Sequence, residues 1–424
     1  MEQVVIIGNG IAGISAATTI RKHSNIPIVV IGEESKYFYS RTALMYIYMG
    51  QMKEEHTQPY PNNYWSDHNI QLAHTVVTNI DTATTQVACS NGSSYNYTKL
   101  IIATGSKPVM PPWALHNITG VQGLYSLQHL QSMQLHTQNI TQAVVVGGGL
   151  IGIEVAEMLL SRGIQVTYLI REASFWANVL PAQDANLLHH IITHHNVNLL
   201  LSTEVESLQS STTGHVSSVT CTNGTVIPCQ FVAVCVGVQP NIAVAINTNI
   251  NTERGIIVNK KFETNLPNVY AIGDCAQMLV APTGRRNIEQ VWYTGKAHGE
   301  IAGLNIVEKP TSYNPSHWYN SAKLFTLEYS TYGVVPTHLP DTHSWLYWQH
   351  PTKHLALRLV WLTATGQFTG INGYGIRLRQ DVCERWLTQK TSINEIIKNL
   401  QDANFNAEFE TSFVKDVQHK YHNC

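Results

Sequence analysis

The chain has 424 residues, of which 44% are hydrophobic and only 13% charged, where about 25% is usual. Lys+Arg 26 against Asp+Glu 28 leaves a formal net charge of −2, so no global field steers the protein toward nucleic acid or an anionic membrane surface. No apolar run approaches the roughly 18 residues of a transmembrane helix, and the length predicts about three domains.

The first strand is predicted at Val4-Val5-Ile6-Ile7, with no leader-like segment before it. The seven cysteines are odd in number and scattered, without a CxxC. That predicts reduced thiols and a cytoplasmic protein. The five Asn-x-Ser/Thr sequons are then by-products of an Asn- and Thr-rich composition.

Val4–Ile7 is apolar throughout, as a strand buried on both faces requires. Gly8-Asn9-Gly10-Ile11-Ala12-Gly13 and a helical stretch follow. Gly8 permits the tight turn, Gly10 lets the backbone approach a pyrophosphate, and Gly13 lets the helix pack on the strand. A second strand, Ile28–Ile31, ends at Glu33-Glu34, where either acid is placed to bind adenosine ribose hydroxyls. Leu100-Ile101-Ile102-Ala103-Thr104-Gly105 is a strand running into a glycine turn. The opening pattern then recurs. Ala143–Val146 leads into Gly147-Gly148-Gly149-Leu150-Ile151-Gly152, a helix with Glu154 and Glu157, and a strand ending in Arg171-Glu172. Phe231–Gly237 repeats the strand-to-glycine design, and Val269–Ile272 ends in Gly273-Asp274 at a helix start.

In these residues the chain resembles the FAD- and NAD(P)H-dependent pyridine nucleotide-disulfide reductase superfamily, over roughly residues 4–303. The resemblance implies an α/β fold with two Rossmann-like dinucleotide-binding domains, the NAD domain inserted in the FAD domain, and a C-terminal α+β interface domain. The FAD domain would be residues 1–113 and 252–303, the NAD(P)H domain 114–251, and the interface domain 304–424. It further implies that Gly8, Gly10, Ile11, Ala12, Gly13, Ala103, Thr104, Gly105, Gly273 and Asp274 hold FAD, with Asp274 on the ribityl chain. Gly147, Gly149, Leu150, Ile151, Gly152 and Gly237 would serve the nicotinamide nucleotide. Glu172 favours NADH through a ribose 2′-hydroxyl, whereas Arg171 resembles the arginine that meets the 2′-phosphate of NADPH. NADH is the narrow choice.

The superfamily's reactive cysteine is absent, since the chain reads Phe38-Tyr39-Ser40-Arg41-Thr42-Ala43-Leu44-Met45-Tyr46 across that region. A disulfide cannot be attacked without a thiolate. The segment instead resembles the Tyr-x-Arg-Pro-Pro-Leu-Ser-Lys stretch of ferredoxin-, rubredoxin- and nitrite-reductase-type flavoproteins, which implies that Arg41 lies against FAD. The family lysine would fall at Tyr46. Its usual partner matches Glu154, which is then either re-paired, with Arg41 as one candidate, or simply an inward-facing helix residue. Trp292, preferred over Tyr293, matches a tryptophan beside the flavin ring, the alternative being a core aromatic.

In the C-terminal third, Ser344–Trp348 and Ala356–Leu362 read as antiparallel strands. Gly370–Gly375 leads to a helix with Arg377, Arg379, Asp381 and Arg385, and a last helix, Ile393–Leu400, precedes a polar tail ending in Cys424. The resemblance implies that this domain forms a homodimer interface. Arg377, Arg379 and Lys323 either dock a small acidic electron carrier or are ordinary solvated and intradomain charges. The histidines at 189–190 and 194–195 lack nearby Cys or acid ligands, so no metal site is expected. The expected function is hydride transfer from NAD(P)H to FAD, then electron delivery to a rubredoxin- or ferredoxin-like protein or a small oxidant. The alternative is an NADH-responsive sensor or scaffold resembling apoptosis-inducing factor.

Overall fold

The computed structural model describes residues 2–115, 118–406 and 412–423. Cys424 lies outside them. By compactness the chain divides into two units. The first comprises Met1–Val109, Gly123–Leu135 and Gly237–Asn314, and the second Met110–Gln122, His136–Val236 and Pro315–Cys424. Among the described residues no helix is long and apolar enough to cross a membrane.

The first unit is built on a five-stranded parallel sheet. Its central strand, Val4–Ile7, is flanked in register by Ile28–Gly32 on one side and Lys99–Ile102 on the other. Ile70–His74 and Val269–Ala271 complete its edges. All four residues of Val4–Ile7 are buried, which explains why the strand is apolar on both faces. The helix Ile11–His23 covers this sheet, and the helix Trp292–Ile306 returns to pack along it. That approach is close: a Cβ at Gly299 would lie 2.3 Å from the Ala12 carbonyl oxygen, and one at Gly303 2.8 Å from Thr19 Cβ. A glycine every fourth residue puts the clear side of the helix on its neighbour.

The second unit contains a similar parallel sheet, in which Gln142–Val146 lies between Gln165–Leu169 and Phe231–Val234. The helices Leu150–Ser161 and Ala182–His194 belong to it. The same unit holds the C-terminal five-stranded antiparallel sheet, whose spatial order is Tyr319–Leu324, Leu327–Gly333, Phe368–Tyr374, Ala356–Leu362 and His343–Gln349.

Two C-terminal expectations are corrected here. The segment at Gly370–Gly375 does not lead directly into a helix, because Phe368–Tyr374 is the central strand of this sheet. Its glycines let chains pass closely, since a Cβ at Gly370 would sit 2.4 Å from the Val334 carbonyl oxygen. The helix starts only at Gln380, so Arg377 and Arg379 precede it and only Asp381 and Arg385 lie on it. The supposed polar tail contains the helix Ser412–His422, which buries Phe413, Val414 and Val417 at helical spacing.

A buried ion pair fastens the C-terminal sheet to the helix Ala182–His194. Arg358 Nε donates to Asp184 Oδ1 at 2.6 Å, with the two side chains 1% and 0% exposed. Asp184 Oδ2 accepts from Asn372 Nδ2 at 3.0 Å and from the Tyr374 hydroxyl at 2.8 Å. The Gln183 side chain accepts from Arg358 Nη2 at 2.9 Å, and the guanidinium lies over the Trp345 and Tyr347 rings. Removing one partner strands a buried charge, whereas removing both does not. Arg358→Met is therefore expected to destabilise this unit by about 3–5 kcal/mol, and adding Asp184→Leu to recover much of that loss. Thermal unfolding midpoints check this; equal losses in the single and double variants would refute it.

Candidate functional site

Each unit carries one glycine loop, and the two are built alike. In the first unit Gly8 has φ +111°, and a Cβ there would lie 2.1 Å from the Ala103 carbonyl oxygen. Gly13 faces Gly8, where a Cβ would come within 2.0 Å of the Gly8 carbonyl oxygen. Gly10 is the opposite case, because nothing lies within 4 Å of a Cβ built there. The helix that begins at Ile11, with Ala12 in its first turn, has no side-chain cap and no acid in that turn. Its N-terminal N–H groups thus have no side-chain acceptor at the cap, which fits an anionic pyrophosphate.

The second loop repeats these relations. Gly147 has φ +117° and a Cβ there would be 2.3 Å from the Cys235 carbonyl oxygen, whereas Gly149 faces open space. The helix Leu150–Ser161, starting with Leu150 and Ile151, again lacks a side-chain cap and an acid in its first turn. Gly152 packs against Gly147 and Tyr168, whose hydroxyl donates to the Gly147 carbonyl at 2.9 Å. Both cradles fit a dinucleotide.

Around the first loop, Glu33 and Glu34 part company. Glu33, at the end of its strand, is exposed. Glu34 is enclosed by partners: Arg41 at 2.6 Å, the Tyr39 hydroxyl, and the Leu127 N–H at 2.8 Å. Arg41 is thus paired within its own unit, with Glu34. The Arg41 guanidinium also lies 4.3 Å from the centroid of the Tyr125 ring.

Thr104 Oγ1 donates to the Asn241 carbonyl at 2.5 Å, and the Asn241 N–H donates to the Gly105 carbonyl at 2.8 Å. The strand end at Ala103–Gly105 is thereby tied to the returning segment Val238–Pro240, which pairs antiparallel with Ser106–Pro108. Gly237 lies exposed at the entry to that segment, its carbonyl accepting from the Val109 N–H. Asp274 follows Gly273 and accepts from Ser106 Oγ at 3.0 Å. Ser106 in turn accepts from Gln290 Nε2 at 2.7 Å. Burial pushes the Asp274 carboxyl above its ordinary range, against the opposing pull of that hydrogen bond. Ser106 and Gln290 escaped the sequence reading. Ser106 directly follows the Thr-Gly turn, which was the only local signal for it. Trp292 begins its helix half-buried, edge-on to the more exposed Tyr293 at 5.6 Å.

In the second unit Glu154 is part-buried on the helix Leu150–Ser161. Burial and then the neighbouring Glu157 carboxylate push it up to about 7, while Lys323 pulls the other way. Lys323, from the first C-terminal strand, pairs with Glu157. Arg171 and Glu172 are exposed and pair with each other at 2.9 Å. The remaining cations singled out above are also paired, Arg377 with Glu328 and Arg379 with Asp381 at 3.0 Å. Of the two readings of Arg377, Arg379 and Lys323, these pairs favour ordinary local charges. His189 Nε2 accepts from the Phe175 N–H at 2.9 Å, and His195 stacks on Phe325. No group of three or more metal-ligating side chains occurs among the described residues.

The family model for pyridine nucleotide-disulphide oxidoreductases matches residues 2–299. The nitric oxide reductase FlRd-NAD(+) reductase of Vibrio vulnificus is 32% identical over 280 residues, which cover 65% of this chain and 72% of that one. Among solved structures, putidaredoxin reductase in its covalent complex with putidaredoxin superposes over 98% of both chains, with a TM-score of 0.81 and 21% identity. A NAD-dependent persulfide reductase from A. fulgidus superposes over 99% of this chain and 83% of its own, with a TM-score of 0.86 and 23% identity. At those identities the two structures speak to the fold alone. The chain belongs to the pyridine nucleotide-disulphide oxidoreductase family and is an FAD-dependent NAD(P)H oxidoreductase.

Proposed function

We propose that this enzyme takes hydride from NADH and delivers electrons from its flavin directly to a small electron-carrier protein of the rubredoxin or ferredoxin kind. In this reading FAD occupies the first loop, with Glu33 on its adenosine ribose and Asp274 on its ribityl chain, and NADH occupies the second. The functional division would follow residues 1–113 with 252–303 for FAD, 114–251 for NADH and 304–424 for the C-terminal domain. The flavin supplies the exchange between two-electron and one-electron chemistry. The protein's part is to hold and orient the two nucleotides.

The observation that supports direct delivery is the state of the thiols. All six described cysteines are unpaired and buried. Burial pushes Cys229, Cys235 and Cys383 up to about 12, and raises Cys221 and Cys275 as well. A buried thiol of that kind is a poor nucleophile, so it is a poor relay for electrons. The named activity of the Vibrio vulnificus relative, toward a flavorubredoxin, points to the same class of acceptor.

The Arg171–Glu172 pair supports the NADH reading. Glu172 occupies Arg171, leaving that guanidinium less available to a 2′-phosphate, and offers an acceptor to a 2′-hydroxyl. Anaerobic stopped-flow reduction is expected to bleach the flavin faster with NADH than with NADPH. Glu172→Ala should raise the NADPH/NADH rate ratio by about tenfold, on the order of one charge-assisted contact. An unchanged ratio would remove these two residues from nucleotide choice. Reduced enzyme should then pass electrons to rubredoxin or ferredoxin faster than to a disulfide; the reverse order would sink direct delivery.

Glu154 supplies a separate test. Because Lys323 holds its titration down, Lys323→Met is expected to move the Glu154 midpoint above about 7. Carboxyl-carbon NMR of the labelled protein reads it. A downward shift would show that Glu157, released from its partner, has moved away from Glu154.

A further inference from the structure

His298 lies on the helix Trp292–Ile306 and is 3% exposed. Its ring is held against Phe262 and Tyr313, with centroids 4.3 Å and 4.7 Å away. Nδ1 accepts the backbone N–H of Gly273 at 3.3 Å, in a fully buried contact. That role places the ring proton on Nε2, which is buried with no hydrogen-bond partner among the described residues. An unpaired buried N–H is costly, so the imidazole's place there is offset by what Nδ1 and the ring faces do.

What Nδ1 holds is a constrained turn. Gly273 sits in the left-handed region at φ +69°, and a Cβ there would come within 2.8 Å of Ala12 Cβ. The turn is thus pressed against the first glycine motif. The next residue, Asp274, is tethered through its side chain by Ser106, which Gln290 holds in turn. His298 tethers the main chain of the same turn from the other side.

We propose that His298 is a positioning residue for the flavin nucleotide, its Nδ1 fixing the Gly273–Asp274 turn in the place from which Asp274 reaches the ribityl chain. This rests on the assignment of the first loop and Asp274 to FAD. The hold depends on a neutral ring. Burial, with Arg285 beside it, pushes the imidazole down to about 3. The charged and titratable groups around it are Arg285, its buried partner Glu289 at 2.5 Å, and Tyr313, whose hydroxyl donates to Glu289. Protonation would abolish the acceptor and set a second cation near Arg285. A ring freed into solvent takes its proton at about 6.5. The advantage of the tethered state over one with the ring in solvent is therefore full above about pH 6.5 and shrinks as pH falls from there toward about 3, so opening of the turn becomes easier on acidification.

The test is release of FAD from the oxidised holoenzyme, followed as the rise in free-flavin fluorescence between about pH 7 and about pH 5. The wild type should release FAD faster on acidification. His298→Gln keeps an acceptor that does not titrate, and should flatten that dependence. His298→Leu removes the acceptor, and should release FAD about tenfold faster even at neutral pH. An acid dependence in His298→Gln as steep as the wild type's would overturn the proposal, even were His298→Leu not to fold. So would equal release rates in all three proteins. A wild type that never retains FAD would instead overturn the flavin assignment itself, and the wild type alone reveals that.

Discussion

Both glycine loops depend on a place where the backbone has no room for a side chain. At each, a carbonyl from a neighbouring strand end, Ala103 in one unit and Cys235 in the other, presses on the first glycine of a loop. That contact fixes where the chain turns from strand to helix. The helix begins immediately, before any side chain is available to cap it, so its first N–H groups are left for a phosphate. A capped helix would satisfy those donors internally and lose the site. The same economy of side chains recurs where Gly299 meets Ala12, which lets the helix Trp292–Ile306 lie directly on the helix that starts at the first loop.

A chain with so few charges might be expected to leave them on the surface. Here the charges singled out from sequence are consumed locally. Arg41 closes on Glu34, Lys323 on Glu157, Arg377 on Glu328, Arg379 on Asp381 and Arg171 on Glu172. The exposed pairs among them, those of Arg171, Arg377 and Arg379, contribute little stability each. Their consequence is electrostatic, since each cation is neutralised within its own neighbourhood. Cations so neutralised add little to the long-range field of the protein.

What was legible in the sequence was what local pattern encodes. The parallel strands are buried on both faces and read as apolar runs, and their glycine turns follow at fixed spacing, so Val4–Gly13 and Ala143–Gly152 were readable at once. The partner of Arg41 was not, because Glu34 and Tyr125 reach it only through tertiary folding. Phe368–Tyr374 was missed for a different reason. Its two glycines suggest a turn, yet they are needed where the strand passes close to Val334 and to the Ile376 carbonyl. The helix Ser412–His422 hid among polar residues, its three buried apolar positions being too few to stand out. Ser106, Gln290 and His298 have no pattern at all; their roles exist only through Asp274 and Gly273.

The thiols show why fold and chemistry separate in this family. Cys235 and Cys275 each lie two residues from a glycine of a strand-end turn, Gly237 and Gly273, and the Cys235 carbonyl presses on Gly147. Proximity in sequence gives them no reactivity, because burial disfavours the thiolate and nothing cationic offsets it. A relative that places one exposed, activated cysteine beside the flavin gains a covalent route for its electrons. Without such a group the route is set by which molecule can come within reach of the flavin, and selectivity passes from bond-making to surface fit. The C-terminal sheet is fastened within its own unit by the buried Arg358–Asp184 pair, and cannot shift there without stranding a charge.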